Sequence, residues 1–253
     1  MTKNPMLHGS LALRTVLFAA FQGLFALGVA LGGVAAPWMA SIAWWPVSAT
    51  LANLVNVGLL MWACRREGIS FGELITGGRG PWRDTWRDTW RTDVAWTLGA
   101  LLVVAPLAVV PNFALGTWLF GDAAVPANMM FRPLPLWAVC VVLPLFPLSI
   151  ALSEMPTYYA YAAPRLQVVS GRRWMPLIAA AGWHAVQHVT LPLIFDWRFV
   201  VWRLLMFLPF ALFVAWLFDR RRSVLPYMMC VHGLLDAQLP VFILLASLGT
   251  PVF

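Results

Sequence analysis

Five ionisable side chains lie inside otherwise apolar runs in the C-terminal half of this chain: Glu154, His184, His188, His232 and Asp236. His184 with His188, and His232 with Asp236, are spaced i,i+4, which places both members of each pair on one face of a helix. A carboxylate beside imidazoles can deprotonate water, and two histidines one turn apart with a carboxylate can hold Zn²⁺. The spacing therefore predicts that three helices meet at one hydrolytic or metal-binding site.

The elements that must position these residues are membrane-spanning helices. The chain has 253 residues, of which 61% are hydrophobic and 11% are charged, and its mean hydropathy is +0.78. A soluble domain carries about 25% charged residues. Apolar runs of about 18 residues or more recur along the chain, which is typical of membrane spans. We therefore predict an all-α, polytopic transmembrane helix bundle.

Seven spans are the central prediction. The fourth is longer than one crossing requires, and a break at Pro144 and Pro147 would raise the count to eight. The predicted spans are 15–37, 43–63, 93–113, 135–162, 174–195, 199–218 and 225–248.

The segments outside the spans give a provisional division of the chain. Residues 116–131 are short and contain Gly121 and Pro126, so we expect a loop or a re-entrant piece there. The repeat WRDTWRDTWRTD, residues 82–93, places three tryptophans on one helical face and predicts an interfacial anchor helix. We assign 1–92 to a transmembrane hairpin with a cytoplasmic loop and 93–253 to the bundle that carries the polar residues, whose motifs occupy 154–236.

Basic residues outside the apolar runs indicate the orientation. In a seven-span arrangement Lys3, Arg14 and twelve further arginines fall on one side, whereas Arg132, Arg198 and Arg203 fall on the other. The positive-inside rule then predicts a cytoplasmic N-terminus, in a bacterial-type plasma membrane. The net charge of +7 reflects this topology and contact with the lipid bilayer, and no nucleic-acid partner is expected because no basic reading element is visible.

The three polar segments resemble the motifs of the CAAX protease and bacteriocin-processing (CPBP) family of intramembrane proteases, which includes the type II CAAX prenyl endopeptidases. EMPTYYAYAAPRL, which begins at Glu154, is similar to the first motif, E-E-x-x-x-R-G, and its tail Y-x-x-P-x-L. His188 ends the counterpart of F-x-x-x-H, with His184 at the phenylalanine position. HGLLD supplies His232 and Asp236 for H-x-x-x-N or H-x-x-x-D, and the resemblance covers residues 135–245.

The resemblance implies an enzyme, a metalloprotease-like intramembrane endopeptidase that hydrolyses a membrane-embedded or lipidated peptide. It implies four catalytic residues: Glu154 and His188 would activate water, and His232 and Asp236 would position it or stabilise the oxyanion. An ionised Asp236 cannot donate a hydrogen bond, so we expect it to orient His232 or to bind a metal.

A zinc cofactor is compatible with these residues, but the sequence does not require one. His184, His188 and His232 are the candidate ligands of Zn²⁺, which would lower the pKa of a bound water molecule. Ala185 stands where the H-E-x-x-H motif has its glutamate, so that motif is absent and Glu154 would act from another helix.

Two further functions stay open at this stage. Met155, Tyr159 and Ala160 replace the second glutamate, the arginine and the glycine of the first motif. Their presence favours a catalytically inactive relative that acts as a scaffold or immunity protein. Buried histidine and glutamate also build proton- or metal-coupled transporters, although no inverted repeat is visible in the chain.

Overall fold

A computed structural model describes the backbone of residues 5–77 and 82–250 and the side chains of residues 9–77 and 89–250. The described chain is 85% helical and contains no strand, so the predicted all-α class is confirmed. Its α-helices are α1 (Pro5–Leu31), α2 (Pro37–Ser41), α3 (Trp45–Arg66), α4 (Phe71–Thr76), α5 (Trp82–Phe120), α6 (Ala124–Met130), α7 (Leu136–Met155), α8 (Ala163–Ser170), α9 (Trp174–Gln187), α10 (Trp197–Arg220), α11 (Leu225–Asp236) and α12 (Gln238–Ser247).

Six helical segments in the described ranges are long and apolar enough to cross a membrane. They coincide with six of the seven predicted spans, and the long fourth span is α7 continued through a π-helical turn into α8. Pro144 and Pro147 lie inside α7 without ending it, so the fourth span is not divided in two. The spans at Gly9–Leu31, Pro37–Arg66, Thr89–Phe120, Leu136–Ser170, Trp197–Arg220 and Arg222–Ser247 form the bundle.

The fifth predicted span is discontinuous. Its helix, α9, has 14 residues and is about 21 Å long, and the chain then runs without regular helix up to the start of α10. Irregular backbone at membrane depth must find hydrogen-bond partners within the protein. Arg203 donates to the carbonyls of His188 (3.1 Å) and Leu191 (2.6 Å), and Gln22 exchanges two hydrogen bonds with the backbone of Leu193. Side chains from α1 and α10 therefore stabilise the break in this span.

One prediction about the loops differs from the structure. The stretch at 116–131 is mostly helical, because α5 continues to Phe120 and α6 begins at Ala124. Gly121 adopts φ +81 between the two helices, and Pro126 lies in the first turn of α6, where a helix needs no amide hydrogen. Hence Gly121 separates two helices without creating a long loop, and Pro126 is accommodated inside the second helix.

The tryptophan repeat begins α5, which confirms a helix at this position. The side chains of Trp82 and Trp86 lie outside the described residues, and Trp90 is 39% exposed.

Two of the arginines that indicate the orientation, Arg14 and Arg203, are buried inside the bundle, at 1% and 6% exposure. Each donates hydrogen bonds to buried groups of other elements. A membrane helix tolerates an arginine where neighbouring helices satisfy its donors, so these two residues say nothing about which side is cytoplasmic.

Close packing of α11 on α7 sets the position of His232 and Asp236. A Cβ atom placed on Gly233 would lie 3.1 Å from the carbonyl oxygen of Pro147 and 3.1 Å from the Cβ of Ala151. These contacts are tighter than ordinary van der Waals packing, so α11 approaches α7 closely because residue 233 has no side chain.

Gly233→Leu is expected to destabilise the protein by about 1–3 kcal/mol, since the side chain would force α11 away from α7. Gly58→Leu is the matched control, because nothing lies within 4 Å of a Cβ at that position of α3. Thermal unfolding in detergent measures both variants. Equal midpoints for the two would show that the α7–α11 contact is not tight.

Candidate active site

Glu154 lies one residue before the end of α7, fully buried, and its carboxylate is the centre of a polar cluster. Its Oε1 is 2.8 Å from Nε2 of His184 and 2.8 Å from Nε2 of His232. Its Oε2 accepts from Nε2 of Gln187 at 2.5 Å and from the guanidinium of Arg14 at 3.4 Å. Residues from α1, α7, α9 and α11 thus meet at one carboxyl group.

His188 follows the last residue of α9 and presents a free ring nitrogen to this cluster. Its Nδ1 lies 2.8 Å from the carbonyl oxygen of His184, which can only accept, so Nδ1 carries the hydrogen. In the neutral ring Nε2 then holds a lone pair, and it lies 4.0 Å from Oε2 of Glu154. The ring of Phe207 stacks on the imidazole, with centroids 3.6 Å apart, and holds its plane.

His184 is a buried polar member of the cluster, because both of its ring nitrogens have partners. Nε2 contacts Glu154, and Nδ1 lies 2.7 Å from the hydroxyl oxygen of Tyr159, whose own hydrogen is donated to the carbonyl of Ala211 at 3.0 Å. The ring of Tyr158 stacks on the imidazole at 5.4 Å. These contacts hold the ring in one orientation beside the carboxylate.

His232 and Asp236 form the more open edge of the cluster. Nε2 of His232 lies 3.3 Å from Oδ2 of Asp236 and 2.8 Å from Glu154, but neither approach has hydrogen-bond geometry. Nε2 of His232 and Oδ2 of Asp236 are both buried and have no hydrogen-bond partner among the described residues. The two side chains are 13% and 18% exposed, whereas that of Glu154 is 0% exposed. Buried polar atoms without partners require an explanation, such as an ordered water, an ion or a ligand.

A turn of π-helix, Pro156–Ala162, directly follows the end of α7 and is buried throughout. Such turns are rare and occur frequently at functional sites, because they change the direction of the side chains that follow. Here the turn carries Tyr158 and Tyr159 towards α9, where their hydroxyls meet Gln187 (3.1 Å) and His184. Tyr161 instead donates to Glu67, at 3.1 Å, outside the cluster.

A metal ion fits one part of the cluster. Among the described residues, ligand atoms of Glu154, His184 and His188 all lie within 4.8 Å of one another. The closest approaches to Glu154 are 2.8 Å for His184 and 4.0 Å for His188. These values bracket the separation of about 3.3 Å between ligand atoms of a tetrahedral zinc ion. His232 contacts Glu154 but does not belong to this group, so the group differs from the three histidines proposed from the sequence.

The structure brings together all five residues that the sequence singled out, and it adds two. Gln187, the last residue of α9, reaches α7 and donates to the carboxylate of Glu154 itself. Arg14 was read as a flanking charge, and its contacts are with residues up to 173 positions away. A polar residue between two histidines of an apolar run was the available signal for Gln187. None of comparable strength existed for Arg14.

Comparisons of the chain with known proteins found no matching family model, no matching curated protein and no matching solved structure.

Proposed function

We propose that the protein is an intramembrane endopeptidase that hydrolyses a membrane-embedded or lipidated peptide with water activated by Glu154 and His188. The observation that carries this proposal is the meeting of a buried carboxylate with three imidazoles, one of which has an open lone pair. The partnerless nitrogen of His232 lies 2.8 Å from the same carboxylate, and the partnerless oxygen of Asp236 lies 3.3 Å from that nitrogen. The order of the three polar segments, which resembles that of the CPBP family, supports the same reaction.

The attacking water would lie between His188 and Glu154. A gap of 4.0 Å is too long for a direct hydrogen bond, but one water with two bonds of about 2.8 Å can bridge it. As this water attacks the scissile carbonyl carbon, its proton passes to Nε2 of His188, and the carbonyl oxygen becomes an oxyanion. The same proton then passes to the departing amine nitrogen as the carbon–nitrogen bond breaks.

His232 would stabilise the oxyanion. A hydrogen on its Nε2 has no acceptor with suitable geometry among the described side chains, so it is free to donate to a substrate. Asp236, at i+4 on α11, lies 3.3 Å from the same nitrogen and would keep the ring directed towards Glu154. Because α11 is also the more exposed edge of the cluster, the peptide would approach from this side.

Zinc is the cofactor that the site would accommodate, with Glu154, His184 and His188 as its ligands. When bound it would supply a water of lowered pKa and polarise the scissile carbonyl.

Elemental analysis of the purified protein distinguishes water activated by a metal from water activated by His188. About one zinc per chain, removed by His184→Ala, indicates metal-activated water. Cleavage that persists in metal-free protein, with chelator present, indicates activation by His188.

The setting of this activity is a lipid bilayer, since six helical segments can span one. We propose a bacterial-type plasma membrane with a cytoplasmic N-terminus. Basic residues outside the bundle still support this orientation, including Arg165 and Arg173 at the ends of α8 and α9.

The direct test is cleavage of two probes by the detergent-purified protein: a farnesylated peptide with a C-terminal CAAX sequence and its unlipidated counterpart. Cleavage of either probe is expected, and His188→Ala is expected to lower kcat by about 10²–10⁴-fold. Ile178→Ala, an exposed position on α9, is the control and should cleave normally. A correctly folded protein that cleaves neither probe nor other membrane peptides would instead be an inactive scaffold.

A further inference from the structure

Arg14 on the first span is a buried cation with hydrogen-bond partners on three other helices. Its Nε donates to Oε1 of Gln187 at 2.5 Å, and Nη1 donates to Oδ1 of Asn53 at 2.8 Å and to the hydroxyl of Ser153. Its Nη2 lies 3.4 Å from Oε2 of Glu154. The guanidinium is therefore held by α3, α7 and α9 and directed at the central carboxylate.

Arg14 also decides which end of the Gln187 amide meets the carboxylate. The amide oxygen of Gln187 accepts from Arg14 and from the hydroxyl of Tyr158, at 2.5 and 3.1 Å. Arginine can only donate, so it selects the oxygen of the amide and leaves the NH₂ group to face the other way. That group donates to Oε2 of Glu154 at 2.5 Å. One arginine thus fixes two contacts of the same carboxylate oxygen.

Arg14 and Glu154 carry opposite charges, and both are buried. A fully buried carboxylate is strongly disfavoured unless it is paired and hydrogen-bonded. Arg14 is the arginine that contacts Glu154 within the described part of the chain, and it is itself 1% exposed. Arg14 therefore adds a permanent positive charge beside the two imidazoles that contact the carboxylate, and Glu154 supplies the anion that pairs with this buried arginine.

We propose that Arg14 is a positioning residue of the site, which keeps Glu154 as a carboxylate and holds Gln187 against it. The first span is then part of the catalytic assembly as well as of the membrane anchor. The role in catalysis rests on the proposed peptidase function, whereas the ion pair itself does not, and the experiment is designed to separate them.

A stability cycle tests the ion pair without any assay of activity. Arg14→Met and Glu154→Gln are each expected to lower Tm in detergent by about 10 °C, because each leaves one buried charge without its partner. The double variant is expected to lose much less than the sum of the two, since neither charge remains. Additive losses would overturn the proposal, because they would show that the two residues are not coupled.

Activity per folded protein then tests the positioning role. Arg14→Met is expected to lower kcat about tenfold or more with KM unchanged, and Arg14→Lys is expected to recover part of the loss because it restores the charge. Arg198→Met, an exposed arginine, is the control. Wild-type kcat in folded Arg14→Met would overturn the positioning role. If the unaltered protein cleaves no peptide, the peptidase proposal fails and the stability cycle alone decides the ion pair.

Discussion

Glu154→Gln is expected to lower kcat for peptide cleavage by about 10³-fold, within the usual range for loss of a group that activates water. The substitution preserves the size of the side chain but removes the negative charge. Nε2 of His188 lies 4.0 Å from Oε2 of Glu154. A neutral amide at residue 154 can no longer stabilise the positive charge that His188 gains when it takes a proton from water. Where zinc is bound, the same change removes an anionic ligand, so activity falls in either form of the mechanism.

The measurement is the initial rate of cleavage at saturating substrate, normalised to folded protein. Asp196→Asn is the matched control, because it makes the same chemical change at a loop carboxylate that pairs with Arg198 and lies outside the cluster. It should cleave at the wild-type rate. A Glu154→Gln variant that retains a tenth or more of the wild-type kcat would remove Glu154 from the proposed mechanism.

Arg203→Met is expected to destabilise the protein by about 3 kcal/mol, the largest effect on stability that we predict outside the Glu154 cluster. The guanidinium supplies hydrogen bonds to the carbonyls of His188 and Leu191, where the fifth span leaves its helix. Without it, two carbonyls at membrane depth would have no charged donor. Because His188 lies at this break, its ring should also lose its fixed position, and cleavage should fall with stability.

Thermal unfolding in detergent is the measurement, and a loss of about 6–12 °C in Tm is expected for a chain of this size. Arg203→Lys should retain only part of the stability, because one ammonium group does not reproduce the planar geometry of the guanidinium. Arg198→Met, near the start of the same helix, should change Tm little, since it removes an exposed ion pair. A normal Tm for Arg203→Met would mean that the break in the span is supported by other contacts.

The difference between Arg203 and Arg198 also shows what hydropathy can and cannot reveal. The two arginines are five residues apart at the start of one helix, and the sequence places both on the same side of the membrane. One pairs with Asp196 at the surface, and the other enters the bundle and terminates a neighbouring helix. The distinction depends on the carbonyls of His188 and Leu191, which follow the end of α9, and no local pattern in α10 reveals them.

The fifth span makes the same point for backbone structure. Residues 174–195 are apolar enough to predict a span, but the helix ends at Gln187 after 14 residues. Hydropathy records which residues enter a membrane, whereas the helix end is set by donors that reach it from Gln22 and Arg203. The site depends on this break, because it leaves His188 at the end of a helix beside Glu154.

The helical membrane class, six of the seven spans and the polar residues of the cluster all follow from the amino-acid sequence. They do so because a spanning helix satisfies its own backbone and because the pairs at i and i+4 are local. Helix packing is what brings both pairs to Glu154, adds Gln187 to them and pairs Arg14 with the carboxylate. Those contacts join residues 30 to 173 positions apart, and in a low-dielectric interior the partner a buried charge finds depends on which helices pack side by side.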